Sequence, residues 1–328
     1  MKLKVVSHSH YPKIGESDAQ LRLRRAFHAF DRKKIDLNEL KKVQKEAIQT
    51  VIKEQTDNDL DVVTDGLILW NDPISPFMRH LEGVEIHGLL RFFDTNFYFR
   101  QPVITGRLKR KSSGLKEEIS FLVRTAATET KAVLTGPYTL ALLSKIETDI
   151  YKNVRDVVLA LTPLVAEEIK TLAGTGVSQI QIEEPGYFLT RPDWACVREG
   201  FEMLAAQKGK AQIGLVTYFG DAAPLYGELQ KFSADFIGLD CTYGFRLFDR
   251  IRKEGSRKDL LLGLLDGRNT KLEDPKAVLE ILRDLGRFLP QKTIYATTSC
   301  GLEFLPRNRA FDKLGILKAI KHGYSEGA

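Results

Sequence analysis

The chain has 328 residues, of which 43% are hydrophobic and 28% charged, and its formal net charge is +6 at pH 7. This length is enough for one large domain with an ample hydrophobic core. The basic residues are interspersed with acidic ones, which favours an anionic small-molecule substrate or an acidic partner surface over nucleic acid. The three cysteines, Cys196, Cys241 and Cys300, are too few and too scattered for a disulfide framework.

The sequence carries no signal for membrane insertion or secretion. No apolar run approaches the roughly 18 residues of a membrane helix. Residues 1–10 (MKLKVVSHSH) lack the apolar core of a signal peptide. We therefore expect a cytoplasmic protein with no membrane partner.

Eight short segments rich in Val, Ile and Leu are predicted to be strands. They are residues 3–9, 62–66, 132–137, 179–185, 212–219, 236–243, 260–267 and 293–300. Their continuous hydrophobicity indicates parallel strands that are buried on both faces. Amphipathic segments such as residues 154–174 and 274–289 are long enough to be crossover helices. This alternation predicts an α/β fold, a single TIM-type (β/α)8 barrel over residues 1–328.

A long insertion, residues 67–130, separates the second and third predicted strands. Residues 91–100 (RFFDTNFYFR) alternate enough to be a strand, and a second strand near residues 106–114 would pair back before a helix in residues 116–130. This β-hairpin-like insertion after strand 2 would overhang the carboxyl-terminal rim of the barrel. It would serve as a lid, as a docking surface, or as a flap whose aromatic residues pack on the barrel.

Polar residues end the predicted strands, where a barrel gathers its functional groups. Glu183 and Glu184 are adjacent carboxylates of the kind used as general acid and base. Because neighbouring strand residues face opposite ways, we expect one to enter the barrel mouth and the other to satisfy a helix terminus. Arg268, after the seventh strand, is predicted either to bind an anionic ligand or to pair with a rim carboxylate.

Seven segments together resemble the amino-terminal barrel of the cobalamin-independent methionine synthase family. They are residues 11–15 (YPKIG), 93–98 (FDTNFY), 134–137 (LTGP), 180–185 (IQIEEP), 217–219 (TYF), 263–269 (GLLDGRN) and 298–300 (TSC). Full-length members of that family carry two similar barrels in tandem, and the second barrel bears zinc. The resemblance covers essentially the whole chain, but only one barrel is present.

The resemblance implies that the zinc site of the family's catalytic barrel is incomplete here. That site uses a His-x-Cys pair, a Glu and a Cys, and zinc converts the thiol of homocysteine into a reactive thiolate. The His-x-Cys position is Val216-Thr217-Tyr218 in this chain, and Asp240 and Cys300 stand at the other two. Because the first and eighth strands are neighbours in a closed barrel, His10 could join Asp240 and Cys300 as a metal ligand. The alternative is a relic site without zinc.

The predicted catalytic residues are Glu183, Asp240 and Cys300. The acidic substrate-binding motif that the family has after the second strand corresponds to residues 66–72 (GLILWND), which keep Asn71 and Asp72 but have lost both glutamates. Glu183 keeps the place of the family's other amino-binding acid. The predicted substrate-binding residues are His10, Lys13, Asn71, Asp72, Glu184, Tyr218 and Arg268.

The resemblance predicts a role in methyl transfer to the sulfur of homocysteine, in methionine biosynthesis. In this interpretation the chain is a subunit that works with a separate zinc-bearing methionine synthase barrel, and the methyl donor is a methylated folate or a methylcorrinoid. Two alternatives stay open. One is a free-standing homocysteine methyltransferase with zinc held by His10, Asp240 and Cys300. The other is a non-catalytic ligand-binding barrel with its pocket around Glu183, Trp70 and Arg268.

Overall fold

The structure is a computed structural model that describes residues 1–244 and 246–326. Its strands are β1 (Lys2–Val5), β2 (Val62–Val63), β3 (Leu81–Arg91), β4 (Tyr98–Arg110), β5 (Glu129–Thr135), β6 (Lys145–Ile146), β7 (Gln179–Glu183), β8 (Gln212–Val216), β9 (Phe236–Asp240), β10 (Asp259–Leu265) and β11 (Thr293–Thr298). Its α-helices are α1 (Asp18–Asp31), α2 (Leu37–Asp57), α3 (Ser75–Met78), α4 (Lys116–Thr125), α5 (Pro137–Leu142), α6 (Val154–Ala173), α7 (Trp194–Ala205), α8 (Tyr226–Leu229), α9 (Arg246–Glu254), α10 (Pro275–Phe288) and α11 (Arg307–Glu326). A 3-10 turn follows β7 at Pro185–Phe188.

Eight parallel strands form the barrel, in the order β1, β11, β10, β9, β8, β7, β5, β2. A parallel bridge between Val6 and Val62 brings the first and last strands of this order together. Each barrel strand falls on one of the predicted segments, so the prediction of a TIM-type barrel is confirmed. The strand interiors are almost fully buried, as expected for parallel strands covered by helices on the outside.

The outer helices cover the barrel with one apolar face. In α10, Val278, Leu279, Leu282 and Leu285 are buried, at the three- and four-residue spacing of a single helix face. Asp274 starts this helix by accepting a hydrogen bond from the backbone N–H of Lys276. Among the described residues no helix is both long and apolar enough to cross a lipid bilayer.

The insertion after β2 contains a long antiparallel hairpin of β3 and β4, joined at its edge by β6. The predicted insertion of a hairpin is confirmed, but the predicted strand at residues 91–100 is wrong. Residues 92–97 form the hairpin tip instead, and the two strands lie on either side of it. Two hydrogen bonds close this tip. The Thr95 hydroxyl donates to the carbonyl of Phe92 at 2.5 Å, and the N–H of Phe92 donates to the carbonyl of Phe97 at 2.8 Å.

Candidate functional site

The carboxyl ends of the barrel strands meet at one rim, which we call the barrel mouth. Glu183 ends β7 and Asp240 ends β9. The loops that follow other strands supply His8, His10, Tyr218, Arg268, Cys300 and Glu303. Parallel strands that end together therefore bring residues from distant parts of the sequence into one region.

Glu183 is a buried acid of the barrel mouth, and it is only 1% exposed. Its Oε2 accepts a hydrogen bond of 2.9 Å from the hydroxyl of Tyr218, and its Oε1 accepts one of 2.8 Å from Nε2 of Gln181. Burial raises the pKa of Glu183, and these two hydrogen bonds oppose the rise. Burial also raises the pKa of the Tyr218 phenol well above its ordinary value, so the phenol stays neutral and donates. Glu183 is thus a fixed carboxyl group suited to proton exchange or to pairing with a cation.

Glu184 faces the opposite way and holds a helix terminus, as the alternation of strand residues predicts. Its carboxylate accepts hydrogen bonds from the backbone N–H groups of Tyr138 and Thr139 at 2.9 and 2.7 Å. The Thr139 hydroxyl donates a third at 2.6 Å. These donors belong to the first turn of α5. Glu184 was also predicted to bind substrate, but both of its oxygens are engaged in the fold, so the structure gives that prediction no support.

Glu303, which sequence analysis missed, lies beside His10 in the barrel mouth. The Nδ1 of His10 is 3.8 Å from Oε1 of Glu303, and the His10 ring packs edge-on against Trp70. Burial lowers the pKa of His10 to about 3, whereas burial and the charge of Glu183 raise the pKa of Glu303 to about 8. Both groups are therefore neutral at pH 7. Among the described residues, Nε2 of His10 and Oε2 of Glu303 are buried without a hydrogen-bond partner.

Asp240 and Cys300 are engaged within the rim. Asp240 accepts hydrogen bonds from the N–H of Phe219 at 3.2 Å and from the N–H and hydroxyl of Thr242 at 2.9 and 2.6 Å. The Cys300 thiol lies 3.4 Å from the carbonyl of Gly301, and burial raises its pKa well above the ordinary value. Cys300 is therefore a neutral thiol in this environment and not a thiolate.

The described residues of the barrel mouth are not arranged as a zinc site. A catalytic zinc site needs three protein ligands at coordination distance. Within residues 1–244 and 246–326, no group of three or more His, Cys, Asp or Glu side chains is placed to hold a metal ion. The predicted ligands His10, Asp240 and Cys300 lie at the same rim, but their side chains are not assembled into a coordination site.

Lys13, Asn71 and Asp72 hold the loop that leads into the insertion. The Lys13 ammonium donates to the carbonyl of Trp70 and, at 3.4 Å, to the side-chain oxygen of Asn71. The buried Asp72 accepts from the N–H of Ser75 at 2.6 Å and from the N–H of Arg100 at 3.3 Å. These contacts fasten α3 and β4 to the barrel, so they explain the three residues structurally.

Arg268 joins the barrel rim to the hairpin tip. Its guanidinium lies 3.2 Å from the carboxylate of Asp94 on the tip and donates to the Tyr243 hydroxyl at 2.8 Å. It also lies over the Phe219 ring, 4.9 Å from the ring centroid. Of the two predicted roles for Arg268, the structure therefore supports an ion pair, although its partner is on the insertion and not on the rim.

The aromatic residues of the hairpin tip pack over the barrel mouth. Phe93 contacts Phe219 with ring centroids 5.3 Å apart, and Phe97 contacts Phe304 at 5.7 Å. Beside them is a cavity of about 510 Å³. Its lining residues come from both the tip and the rim: Arg91, Asp94, Thr95, Asn96, Phe97, Asp266, Arg268, Asn269, Glu303 and Phe304. Glu303 therefore links this cavity to the buried acids of the barrel mouth.

Comparisons with a family model and with individual proteins agree on the family of this chain. Residues 78–290 match the family model described as the cobalamin-independent synthase, N-terminal domain. A methionine synthase of Sulfolobus acidocaldarius is 28% identical over 287 residues, which is 86% of this chain and 82% of that protein. A methionine synthase of Saccharolobus solfataricus is 28% identical over 307 residues, covering 92% of this chain and 90% of the relative.

Solved structures show the same barrel. A B12-independent methionine synthase from Shewanella sp. W3-18-1, in complex with selenomethionine, superimposes with a TM-score of 0.80 at 22% identity, over 100% of this chain and 99% of the other. A putative vitamin-B12 independent methionine synthase from Listeria monocytogenes gives a TM-score of 0.76 at 16% identity, over 98% and 99%. At these identities the likeness establishes the fold. The family match confirms the resemblance seen in the seven segments, and the chain therefore belongs to the cobalamin-independent synthase family, in its N-terminal domain type.

Proposed function

We propose that this methionine synthase-type protein takes part in methyl transfer to homocysteine as a subunit that works with a separate zinc-bearing barrel. Membership of the N-terminal domain family supports this division of labour, because in the tandem enzymes zinc is carried by the second barrel. The observation that carries the proposal is the hydrogen bond between Tyr218 and Glu183. Its donor, Tyr218, stands at the position where the resemblance would require a cysteine ligand of zinc.

The chemistry of the reaction also favours a partner. Homocysteine must lose its thiol proton before it can attack a methyl group, and a metal lowers the thiol pKa enough for this at neutral pH. In this chain His10, Asp240 and Cys300, the residues nearest to such a role, are not grouped as metal ligands within the described residues. The thiolate would therefore be made on the partner barrel.

The contribution of this chain would be to hold the methyl donor, a methylated folate or a methylcorrinoid group. Sites for small molecules usually enclose about 300–1,000 Å³. The cavity between the hairpin tip and the rim, at about 510 Å³, falls within that range. Its wall combines the aromatic rings of Phe97 and Phe304 with the polar groups of Arg268, Asn269 and Glu303.

Co-expression with the zinc-bearing homologue from the same genome tests the proposal. The homologue would carry the affinity tag, and this chain would carry none. We expect the two chains to elute together and to form methionine from homocysteine with one of the two donors, each supplied in a separate assay. Glu183→Gln should lower the rate without releasing the subunit, whereas Glu117→Gln on the exposed surface of α4 should change neither. Equal methyl transfer with and without this chain would defeat the proposal.

A further inference from the structure

Lys131 is a fully buried lysine inside the barrel. It lies on β5 and is 0% exposed. The interior of such barrels is usually filled by Val, Ile and Leu, and lysine is almost never fully buried unless it is paired. The Lys131 ammonium donates to the carbonyl of Ser7 at 2.6 Å and to Oε1 of Gln181 at 2.8 Å. Both acceptors are uncharged, and one of them, the Gln181 amide, is in turn hydrogen-bonded to an acid.

Gln181 connects Lys131 to Glu183. Its Oε1 accepts from Lys131, while its Nε2 donates to Oε1 of Glu183 at 2.8 Å and to the carbonyl of His8 at 3.1 Å. These three contacts fix the orientation of the amide, with its oxygen towards Lys131, one N–H towards Glu183 and the other towards the carbonyl of His8. A continuous chain of hydrogen bonds therefore runs from Lys131 in the barrel interior to Glu183 at the barrel mouth.

We propose that Lys131 is the internal counter-ion of Glu183 and that it acts as a positioning residue, setting the charge of Glu183 through the amide of Gln181. The inference goes beyond the proposed methyl transfer, because it concerns the state of Glu183 in the free protein. It would hold for any ligand that meets this carboxyl group.

Among the described residues around Glu183, Lys131 is the group that supplies positive charge. His8, after β1, lies 3.6 Å from Glu183, but burial lowers its pKa well below the ordinary value. Tyr218, after β8, is a neutral donor. Glu303, after β11, is an acid and adds no positive charge, and the charge on Glu183 helps to raise its pKa. Charges interact strongly across the poorly solvated interior, so a cation one amide away stabilises the ionised carboxylate.

Lys131 and Glu183 shift each other's pKa in the directions expected for a cation and an anion. Burial lowers the pKa of Lys131 to about 7, and the charge of Glu183 opposes that decrease. In turn, Lys131 opposes the rise that burial causes in the pKa of Glu183. Removal of the lysine should therefore leave Glu183 protonated at a higher pH than in the wild-type protein.

Titration of Glu183 by carbon-13 NMR of labelled glutamate tests the inference, with Glu183→Gln identifying the signal. In Lys131→Met we expect the midpoint to rise by about one pH unit, a tenfold gain in proton affinity. Lys313→Met is the matched control, because Lys313 is equally buried but pairs with Glu273 at 2.8 Å. The control should lose stability and leave the Glu183 midpoint unchanged. An unchanged midpoint in Lys131→Met would overturn the inference.

A second measurement covers the case in which Lys131→Met folds poorly. The same substitution is made in the Glu183→Gln background, and the unfolding equilibrium constant is measured by urea denaturation for all four proteins. If Lys131 balances Glu183, its removal should cost about tenfold less once the carboxylate is gone. Equal costs in the two backgrounds would show that the lysine has only a packing role.

Discussion

The Tyr218 hydroxyl lies 2.9 Å from Oε2 of Glu183 and donates a hydrogen bond to it. By the resemblance, position 218 is where the zinc-bearing barrel of the family has a cysteine ligand. The tyrosine fills this place with a large aromatic group and directs its one polar atom to the carboxyl group. A phenol that stays neutral cannot replace a thiolate ligand, so the barrel mouth is organised around a hydrogen bond between two protein groups.

Replacement of Tyr218 by phenylalanine should destabilise the protein and raise the pKa of Glu183 further. The substitution removes a donor to a buried carboxyl group, and such hydrogen bonds contribute about 1.5–3 kcal/mol. Urea denaturation at pH 7.5 measures the cost. Tyr98→Phe is the control, since this tyrosine is 53% exposed on the hairpin and should change stability by less than about 0.5 kcal/mol. Equal stability of the two variants would argue against an energetic role for the hydrogen bond.

Glu118 should make stability depend on pH. This residue of α4 accepts a hydrogen bond of 3.3 Å from the indole N–H of Trp70. Burial, helped by the charge of Asp65, raises the pKa of Glu118 to about 8. The protonated acid therefore stabilises the fold fully below the ordinary carboxyl pKa, and this contribution is lost as the pH rises through about 8.

Glu118→Gln keeps an acceptor for Trp70 but cannot ionise. Relative to wild type, the variant should gain stability steadily between pH 5 and pH 9, by about 1–3 kcal/mol over the range. Urea denaturation at several pH values measures the change. Glu280→Gln, at an exposed position of α10, should follow the wild-type curve. Parallel curves for wild type and Glu118→Gln would contradict the prediction.

Arg268→Ala should loosen the hairpin tip without unfolding the barrel. The substitution removes the ion pair with Asp94 and the contact with the Phe219 ring, interactions that contribute about 1–2 kcal/mol together at a partly exposed site. Amide hydrogen exchange should accelerate in residues 92–97 and stay unchanged in β7 and β8. Arg246→Ala is the matched control, because Arg246 pairs with Asp221 on the rim. Unchanged exchange at the tip would show that aromatic packing alone holds it.

The barrel was predictable from sequence because its signal is local and repeated. Each buried parallel strand leaves a short apolar run, and polar residues mark its end. The hairpin tip is missed by the sequence prediction because residues 91–100 are rich in aromatic residues, which favour strands. The turn formed by Asp94, Thr95 and Asn96 was overlooked within that pattern.

The sequence predicts which residues lie at the barrel mouth, but it does not predict how their side chains are arranged there. Strand order places Asp240 and Cys300 at the same rim, but the loops after the strands decide where their side chains point, and this is a tertiary property. Glu303 has no distinctive local pattern, and its importance comes from burial beside His10. Lys131 did leave a signal, since a lysine directly precedes the apolar residues 132–134 of a strand predicted to be buried.

Zinc content tests the central claim most directly. The chain would be purified without a polyhistidine tag in zinc-containing buffer, desalted, and analysed by mass spectrometry for metal bound per chain. Because Tyr218 and Asp240 are engaged in hydrogen bonds, and His10, Asp240 and Cys300 form no coordination site within the described residues, we predict clearly less than one zinc per chain, unchanged by Cys300→Ser. One zinc per chain, lost on Cys300→Ser, would contradict the account and establish a free-standing metal site.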